Sequence, residues 1–552
     1  MTTAEVGEES SVRRAHDGKR RTVRWSRNSP ARDEVRDERR RDRRIAVALG
    51  LLLFAIYLLT MGGHTYSVDG ETYLAGTRAL AQRETVMDPP DDLDAVVILI
   101  SHKNGGTTTA APIGTLLLFL PGFVAGKAIA AAFPEDSKEE VVRLVFLSAN
   151  PLFTAVTAAL LFLLCRALGA SRRSSMLLSV VFGLATWAWP HSKTDFSEPG
   201  TAMALTAAVL ASVHWWRRPS SDRAALAVGF LAGCTVLTRS STMIFIPVLL
   251  AAGVTAHGLD VRGRLRGAML FAAGGAVPAA AFAYNAWARF GSPVDNGYPP
   301  IEYSTPLYEG IHGLFLSPGK GLFWYAPICI VALFAIRQSF HTSRRYVCAV
   351  LLILVMHLAV YARFVIWSGE NAYGPRYLVP LLPVLVALVA PVIDSGRHWV
   401  RGARIAGAAG FLLPGLLGSL MYFNAVYHHS GPNVLKNMDA PAITGIQTYL
   451  AWNFQPRSSP IVLHLRGIPA LIDNTRDRLQ GDDGGITPVM EEYEDRIHWH
   501  ARAIELDYWW AWWSAKREAP LGYVLLVIPF TLLAIGLLLI RGLRRSRLLP
   551  AR

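Results

Sequence analysis

The sequence predicts an all-α, multi-pass membrane protein. Of its 552 residues, 52% are hydrophobic and only 17% are charged, which is too apolar for an ordinary soluble chain. Apolar runs of about 17–25 residues, the length that crosses a bilayer as one helix, recur along nearly the whole sequence. These two observations together predict a bundle of about 12–13 transmembrane helices.

Thirteen segments are candidate membrane spans. They are 44–61, 109–132, 142–168, 174–190, 198–216, 224–238, 241–256, 267–288, 323–337, 346–367, 374–394, 403–424 and 520–541. The weakest is 109–132, which begins TAAPIGT and contains Pro121, Gly122 and Lys127. This segment is compatible with a re-entrant or interfacial helix as well as with a span.

The distribution of positive charge predicts the orientation. The formal net charge is +14, and its basic residues concentrate in the N-terminal tail and in short loops between apolar runs. These loops lie at 166–175, 215–223, 257–267, 337–346, 394–404 and the C-terminus. The positive-inside rule explains the pattern without nucleic acid and places both termini in the cytoplasm. Two cytoplasmic termini require an even number of spans, so either 109–132 does not cross or a span following the acidic loop 134–140 is miscounted.

The same pattern divides the chain into regions at the plasma membrane. They are a disordered basic cytoplasmic tail (1–43), the main transmembrane region (44–424), an extracytoplasmic segment or small cap (425–519), a final span (520–541) and a basic cytoplasmic tail (542–552). The N-terminal tail lacks the apolar core and cleavage site of a signal peptide. The four cysteines lie in or beside apolar runs without CxxC spacing, which indicates small core residues.

Two carboxylates follow the first span directly, in HTYSVDGETYLAGTRALAQR (64–83). One helical face, at i, i+4, i+7 and i+8, is formed by Tyr73, Thr77, Leu80 and Ala81, which predicts an amphipathic helix on the membrane surface. Asp69 can cap this helix or act as a general base. Glu71 is the less direct candidate of the two.

The predicted outer loops carry acids and bases together, whereas a topology signal needs only positive charge. These residues are Asp69, Glu71, His102, Lys103, His191, Lys193, Asp195, Glu198, Arg239, Lys320, Glu370 and Arg376. A mixed set on one face favours a functional site, and ordinary interfacial solvation is the alternative.

Several of these residues can have either a functional or a purely structural role. Lys103 can bind a phosphate or reach the membrane interface as an extended side chain. Asp195 and Glu198, within HSKTDFSEP, can belong to a site or cap the next helix. Arg239 at the membrane edge requires an anionic partner. Arg376 begins a predicted helix, where a guanidinium and the helix dipole together favour an anion.

Cations around one or two carboxylates at a membrane edge suit one class of reaction. A lipid-phosphate leaving group needs positive charge as its own charge develops, and an attacking hydroxyl needs a base. Sugar transfer from a lipid-phosphate donor has both requirements.

Five motifs resemble those of the GT-C superfamily of membrane glycosyltransferases. They are SVDGETYLAGTRAL, HSKTDFSEP, LTRSSTMIFIPVLL, GLFLSPGKGLFWYAP and YGPRYLVPLLP, spread over residues 45–395. The similarity includes protein mannosyltransferase-like and aminoarabinose-transferase-like enzymes and is greatest to a branch common in actinobacteria. It implies a GT-C-type helix bundle, a polyprenyl-phosphate-linked sugar donor and an active site on the outer face.

The resemblance also implies roles for individual residues. Asp69 is the catalytic base, with Glu71 beside it. The donor-phosphate contact of the family corresponds to Lys103. From the residues themselves we expect Arg239, Arg376 and Lys320 to neutralise the donor phosphate as well. We also expect the sugar or the acceptor to be oriented by His102, His191, Lys193, Asp195, Glu198, Glu370 and Tyr377. Two departures are visible: KNGGTTTAAP replaces the Pro-Pro or Tyr-Pro pair of many relatives, and Gly70 separates two acids that are adjacent elsewhere, so neither a metal nor another cofactor is predicted.

The predicted function is therefore transfer of a monosaccharide to a polysaccharide, lipid or protein of the cell envelope, with membrane lipids around the bundle. Arabinofuranose, mannose and galactose all remain open as the sugar. A transporter or flippase of lipid-linked saccharides is the alternative, but it predicts charges near mid-bilayer and paired broken helices in two halves. A non-catalytic scaffold that binds envelope lipids is the weakest candidate.

Overall fold

The computed structural model describes residues 30–86, 99–298, 302–369, 372–395, 397–423, 426, 451–480, 504–511 and 523–545. Its α-helices are α1 (Pro30–Thr60), α2 (Val68–Gln82), α3 (Ile113–Ala130), α4 (Lys138–Leu147), α5 (Ala149–Ala167), α6 (Arg172–Leu184), α7 (Ala188–Ser192), α8 (Glu198–Arg217), α9 (Asp222–Thr238), α10 (Ile246–Val254), α11 (Val261–Phe290), α12 (Leu307–Leu316), α13 (Leu322–Tyr325), α14 (Ile328–Tyr361), α15 (Leu382–Val386), α16 (Arg397–Gly410), α17 (Leu417–Leu420), α18 (Pro460–Leu479) and α19 (Val527–Arg545).

Shorter helical turns and one hairpin complete the described elements. The 3₁₀ segments that matter for the site are Ser240–Phe245 and Arg376–Leu381. Strands β1 (Leu99–Ser101) and β2 (Thr107–Thr109) pair antiparallel, with Leu99 opposite Thr109.

Seven helical segments of the described chain are long and apolar enough to cross a membrane. They are Arg36–Thr60, Ile113–Ala130, Glu135–Ala167, Val261–Phe290, Ile328–Tyr361, His398–Leu420 and Tyr523–Gly542. The all-α, multi-pass class is thus confirmed. The segment predicted as the weakest span, 109–132, corresponds to α3 and is among these seven.

The other predicted spans correspond to shorter or less apolar helices. Segments 174–190, 198–216 and 224–238 contain α6, α8 and α9, and 241–256 and 374–394 contain the helical runs Ser240–Val254 and Arg376–Val389. The spans predicted at 323–337 and 346–367 both fall in α14, which bends at the non-helical Ser343. Among them, α8 and the run Arg376–Val389 are largely buried by neighbouring helices.

One end of the bundle is rich in arginine, as the charge pattern predicts. Helix α1 begins at Pro30, well before the first span predicted at 44–61. Asp42 forms ion pairs with Nε of Arg166 at 3.0 Å and Nε of Arg172 at 2.6 Å. These contacts join the start of α1 to the end of α5 and the start of α6. We call this end of the molecule the basic end.

Close helix packing places α9 directly against α11. A methyl group at Gly229 would overlap the backbone of Phe271, and one at Gly274 would overlap the backbone of Leu226. Small residues at such a crossing let two helices approach closely. The close contact brings the C-terminal end of α9 alongside the loop that follows α11.

Helix α2 is the predicted helix after the first span. Ser67 is its N-cap and accepts a hydrogen bond from the backbone N–H of Gly70 at 3.1 Å. Tyr73 and Thr77 are buried as the pattern predicts, and Ala81 is exposed. Most other residues in its first turns are also buried, so α2 is enclosed by the protein more fully than a helix lying on a membrane surface. Its N-terminal turn carries both acids of the loop.

Candidate active site

Four charged side chains from four separate segments form one chain of ion pairs. Arg376 donates through Nη2 to Oδ2 of Asp69 and through Nε to Oε1 of Glu198, the latter at 2.8 Å. Arg239 donates through Nη1 to the same Oε1 of Glu198, also at 2.8 Å. The order Asp69–Arg376–Glu198–Arg239 alternates acid and base, and we call this set the charged network.

The charged network is closed at Glu198 and partly open at Asp69. The side-chain exposure is 0% for Glu198, 13% for Arg376, 19% for Arg239 and 24% for Asp69. Charge–charge interactions are stronger where water is excluded. A substrate can therefore reach the network from the Asp69 side.

Each arginine retains one terminal nitrogen that is not used by the network. Within the described part of the chain, Nη1 of Arg376 and Nη2 of Arg239 have no hydrogen-bond acceptor. A guanidinium presents its donors in a fixed planar fork that suits a phosphate or carboxylate. The two arginines can thus bind an anion without first releasing Glu198.

Aromatic side chains hold both guanidinium groups in place. Nε of Arg239 donates to the hydroxyl of Tyr361 at 2.7 Å, and the Tyr361 ring stacks on Tyr377 with centroids 4.6 Å apart. The Arg376 guanidinium lies 3.7 Å from the centroid of Phe196. Such contacts favour a cation over an aromatic face and limit its rotation. Tyr377, a predicted site residue, is therefore part of the wall beside the arginines.

Asp195 fixes the loop that precedes α2. Its carboxylate accepts hydrogen bonds from the backbone N–H groups of Tyr66 and Ser67, at 2.5 and 3.2 Å, and from the Ser67 hydroxyl at 2.6 Å. Burial raises the pKa of Asp195 to about 6, although the Ser67 and Tyr66 hydrogen bonds act to lower it. The sequence left Asp195 and Glu198 open as caps of α8, but the N-cap is Ser197 and its side chain makes no capping bond.

Gly70 lets Asp195 approach α2, and this predicts a sharp effect of a small substitution. A methyl group at Gly70 would overlap the Asp195 carboxylate. We expect Gly70→Ala to displace the start of α2, which carries Asp69. The turnover of the expected sugar transfer should then fall by about 10²-fold, because a misplacement of about 1 Å can have an effect of this size. Gly402→Ala is the control, because a methyl group there would lie 3.6 Å from Val331, an ordinary contact. Full activity in Gly70→Ala would contradict the prediction.

His191 and Lys320 support the segment that leads to Arg376. Nε2 of His191 donates to the carbonyl of Tyr373 at 2.9 Å, and Nζ of Lys320 donates to the carbonyl of Ala372. Burial lowers the pKa of His191 to about 4, so the ring is neutral near pH 7. Both side chains thus position the backbone next to the site.

Lys193 belongs to a second buried group, centred on Asp507. Oδ2 of Asp507 accepts from Nζ of Lys193 at 2.6 Å and from the hydroxyl of Tyr66 at 2.7 Å. Oδ1 of Asp507 accepts from Nε2 of His64 at 2.7 Å. We call these four residues the Asp507 cluster. Sequence reasoning missed Asp507 because it lies in the segment 425–519, which matches no motif and gives no local signal.

Glu71 and Asp69 have different partners although they are two residues apart. Glu71 is buried and pairs with Nη1 of Arg143 at the start of the helical run Glu135–Ala167, and it also accepts from the hydroxyl of Thr65. Arg143 was missed in the sequence. Its position at the edge of a predicted span, after the acidic loop 134–140, was the available signal.

The predicted phosphate residue Lys103 lies on the hairpin instead. Its ammonium is 3.7 Å from the centroid of the Trp287 ring, and its backbone N–H donates to the carbonyl of Arg289 at 3.0 Å. His102 next to it is buried and accepts from the N–H of Asn104 at 3.1 Å. Among the described residues, no hydrogen bond or ion pair joins Lys103 or His102 to the charged network.

Two further predictions concern Glu370, as a residue that orients the sugar or the acceptor, and the binding of a metal ion. Glu370 lies outside the described residues. Within the residues that the structure describes, no group of three or more His, Cys, Asp or Glu side chains is placed to hold a metal ion.

Comparison with protein-family models gives no match, and comparison with curated proteins gives none either. Among solved structures, the chain is similar to the oligosaccharyltransferase of Archaeoglobus fulgidus in a crystal structure with zinc and sulfate. The TM-score is 0.46 and the identity 14%, over 75% of this chain and 58% of that one. For the apo crystal structure the values are 0.44 and 11%, over 74% and 60%.

A third similar structure is the archaeal oligosaccharyltransferase AglB from the same organism, in complex with an inhibitory peptide and a dolichol-phosphate. Its TM-score is 0.44 and its identity 11%, over 86% of this chain and 63% of that one. The chain thus spans less than two thirds of the length of these structures. This likeness carries no argument about function. The argument about function rests on the charged network.

Proposed function

We propose that this protein is a membrane glycosyltransferase of the GT-C type. It moves a monosaccharide from a polyprenyl-phosphate donor to a hydroxyl of a cell-envelope acceptor. The observation that carries the proposal is the charged network, in which a partly open carboxylate, Asp69, pairs with Arg376, and Arg376 and Arg239 share Glu198 while each keeps an unused donor.

Asp69 has the geometry expected of the general base. Arg376 binds Oδ2, and Oδ1 makes no hydrogen bond to any other described residue. The free oxygen can accept the proton of an acceptor hydroxyl as that oxygen attacks the sugar. Arg376 meanwhile keeps the carboxylate in a fixed orientation, which favours attack from one direction.

Arg376 and Arg239 are suited to the leaving group. As the bond between sugar and phosphate breaks, negative charge grows on the phosphate, and fixed cations in a poorly hydrated site stabilise that charge. Glu198 balances the two arginines in the absence of substrate and keeps them adjacent. Its role is to position the cations rather than to react.

The location of the network supports an extracytoplasmic site. Asp42, at the basic end, and Thr60, at the end of α1 from which the Asp69 loop departs, are joined by this continuous helix, which spans about 27 Å between them. Because basic loops favour the cytoplasm, the opposite end faces outward. Polyprenyl-phosphate sugars presented on that face could then enter from the bilayer.

The test is a transfer assay with purified, detergent-solubilised protein. We expect a polyprenyl-phosphate sugar and a cell-envelope acceptor to give a new glycosidic product. Donors carrying arabinofuranose, mannose and galactose are compared in parallel. In liposomes, movement of the lipid-linked sugar between leaflets without glycosidic product would contradict the proposal and favour a flippase.

A further inference from the structure

The segment 504–511 is joined to the loop that carries Asp69. The connection begins at Asp507, whose carboxylate accepts from the hydroxyl of Tyr66. The backbone N–H of the same Tyr66 donates to Asp195, and Ser67 is both a second partner of Asp195 and the N-cap of α2. Asp69 follows two residues later. Tyr66 is therefore held at both ends, by Asp507 through its ring and by Asp195 through its backbone.

The segment is also fastened to the C-terminal end of α1. The backbone N–H of Trp509 donates to the carbonyl of Met61 at 2.9 Å, and the indole N–H groups of Trp509 and Trp510 donate to the carbonyls of Leu58 and Leu59 at 2.8 Å. These carbonyls belong to the C-terminal end of α1, where backbone acceptors have no intrahelical partner. The segment thus completes the end of the helix from which the Asp69 loop departs.

Asp507 is built to be an ionised, fully satisfied acceptor. Its side chain is 1% exposed, and both of its oxygens accept hydrogen bonds from the cluster. Burial by itself raises the pKa of Asp507, but Lys193 and His64 lower it well below its usual range. A buried carboxylate in such a setting fixes the direction of every donor around it.

We propose that Asp507 is a positioning residue for sugar transfer, acting through Tyr66 to orient Asp69 towards the acceptor. The inference rests on the proposed function. It adds that the late segment 504–511 is a required part of the catalytic arrangement, although it lies more than 400 residues from Asp69 in the sequence.

A merely structural Asp507 would lower stability and activity together, so the experiment separates the two. Tyr66→Phe removes the hydroxyl that donates to Asp507 and accepts from the backbone N–H of Gly62 at 3.1 Å, and Asp507→Asn removes the charge while keeping the shape. The matched control is Asp42→Asn. It removes the charge of a carboxylate that pairs with two arginines at the basic end, far from the loop that precedes α2. Each variant and the Tyr66→Phe/Asp507→Asn double variant is measured for kcat, donor KM, thermal midpoint and amide hydrogen exchange of a peptide covering 64–70.

We expect Tyr66→Phe and Asp507→Asn to lower kcat by about tenfold or more, with donor KM changed by less than about twofold, because orientation rather than donor binding is lost. The double variant should have a kcat no lower than that of Asp507→Asn, because both substitutions break the same hydrogen bond between Tyr66 and Asp507. Exchange in 64–70 should rise in these variants and stay unchanged in Asp42→Asn. Where Asp507→Asn does not fold, Tyr66→Phe alone decides.

Two outcomes would overturn the inference. One is unchanged exchange in 64–70, and the other is increased exchange with unaltered kcat in folded protein. Absence of sugar transfer in the wild-type protein would instead refute the proposed function, and the exchange measurement would still report whether Asp507 holds the loop.

Discussion

Asp69→Asn is expected to lower the turnover of sugar transfer by about 10²- to 10⁴-fold, the usual contribution of a general base. An amide cannot accept the acceptor's proton at neutral pH, but it occupies the same space. Arg376 keeps Glu198 as a partner, so loss of its ion pair with Asp69, whose side chain is 24% exposed, should cost about 1–3 kcal/mol of stability. Turnover and the thermal midpoint of the same detergent-solubilised sample give both values.

The matched control is Asp222→Asn. Asp222 is also an acid in the first turn of a helix, and its carboxylate pairs with Arg266 at 2.6 Å, at the end of α9 away from Arg239. The same chemical change there should leave turnover within about twofold of wild type. If Asp69→Asn retains wild-type turnover while correctly folded, Asp69 has no role as the base.

Glu198→Gln is expected to give the largest loss of stability. Its carboxylate is 0% exposed and lies between Arg239 and Arg376, so the amide leaves two adjacent, poorly hydrated cations with only Asp69 to balance them. Removing one partner of a buried ion pair costs about 3–5 kcal/mol. Denaturant titration in mixed micelles measures the change in the free energy of unfolding, and turnover should fall as well because the arginines separate.

Glu71→Gln provides the comparison for Glu198→Gln. Glu71 is also buried, but it balances one arginine, Arg143, which has a second acid, Glu139, 3.8 Å away. We expect a smaller loss, about 1–3 kcal/mol. If the two variants lost the same free energy of unfolding, the second arginine beside Glu198 would add nothing to the contribution of Glu198 to stability.

The candidate site was predictable where charge stood out against an apolar background. Asp69, Glu198, Arg239 and Arg376 each sit at the edge of an apolar run, and burying such groups is costly unless they are paired. That cost singles out residues but does not assign partners. Lys103 met the same criterion, yet its contacts are with Trp287 and the hairpin. Arg143 was not singled out although it lies at the edge of a predicted span, and Asp507 lies in a segment that matches no family motif.

The sequence by itself determined the class of the protein, the helix that carries Asp69 and the end of the molecule where opposite charges gather. Hydrophobicity and helix periodicity are local properties, so they can be read along the chain. Only the tertiary structure decided that Glu198 joins two arginines, that Asp69 and Glu71 have separate partners, and that Asp507 returns to Tyr66. Ion pairs depend on distance in space, and these partners are brought within reach only when helices far apart in the sequence pack together.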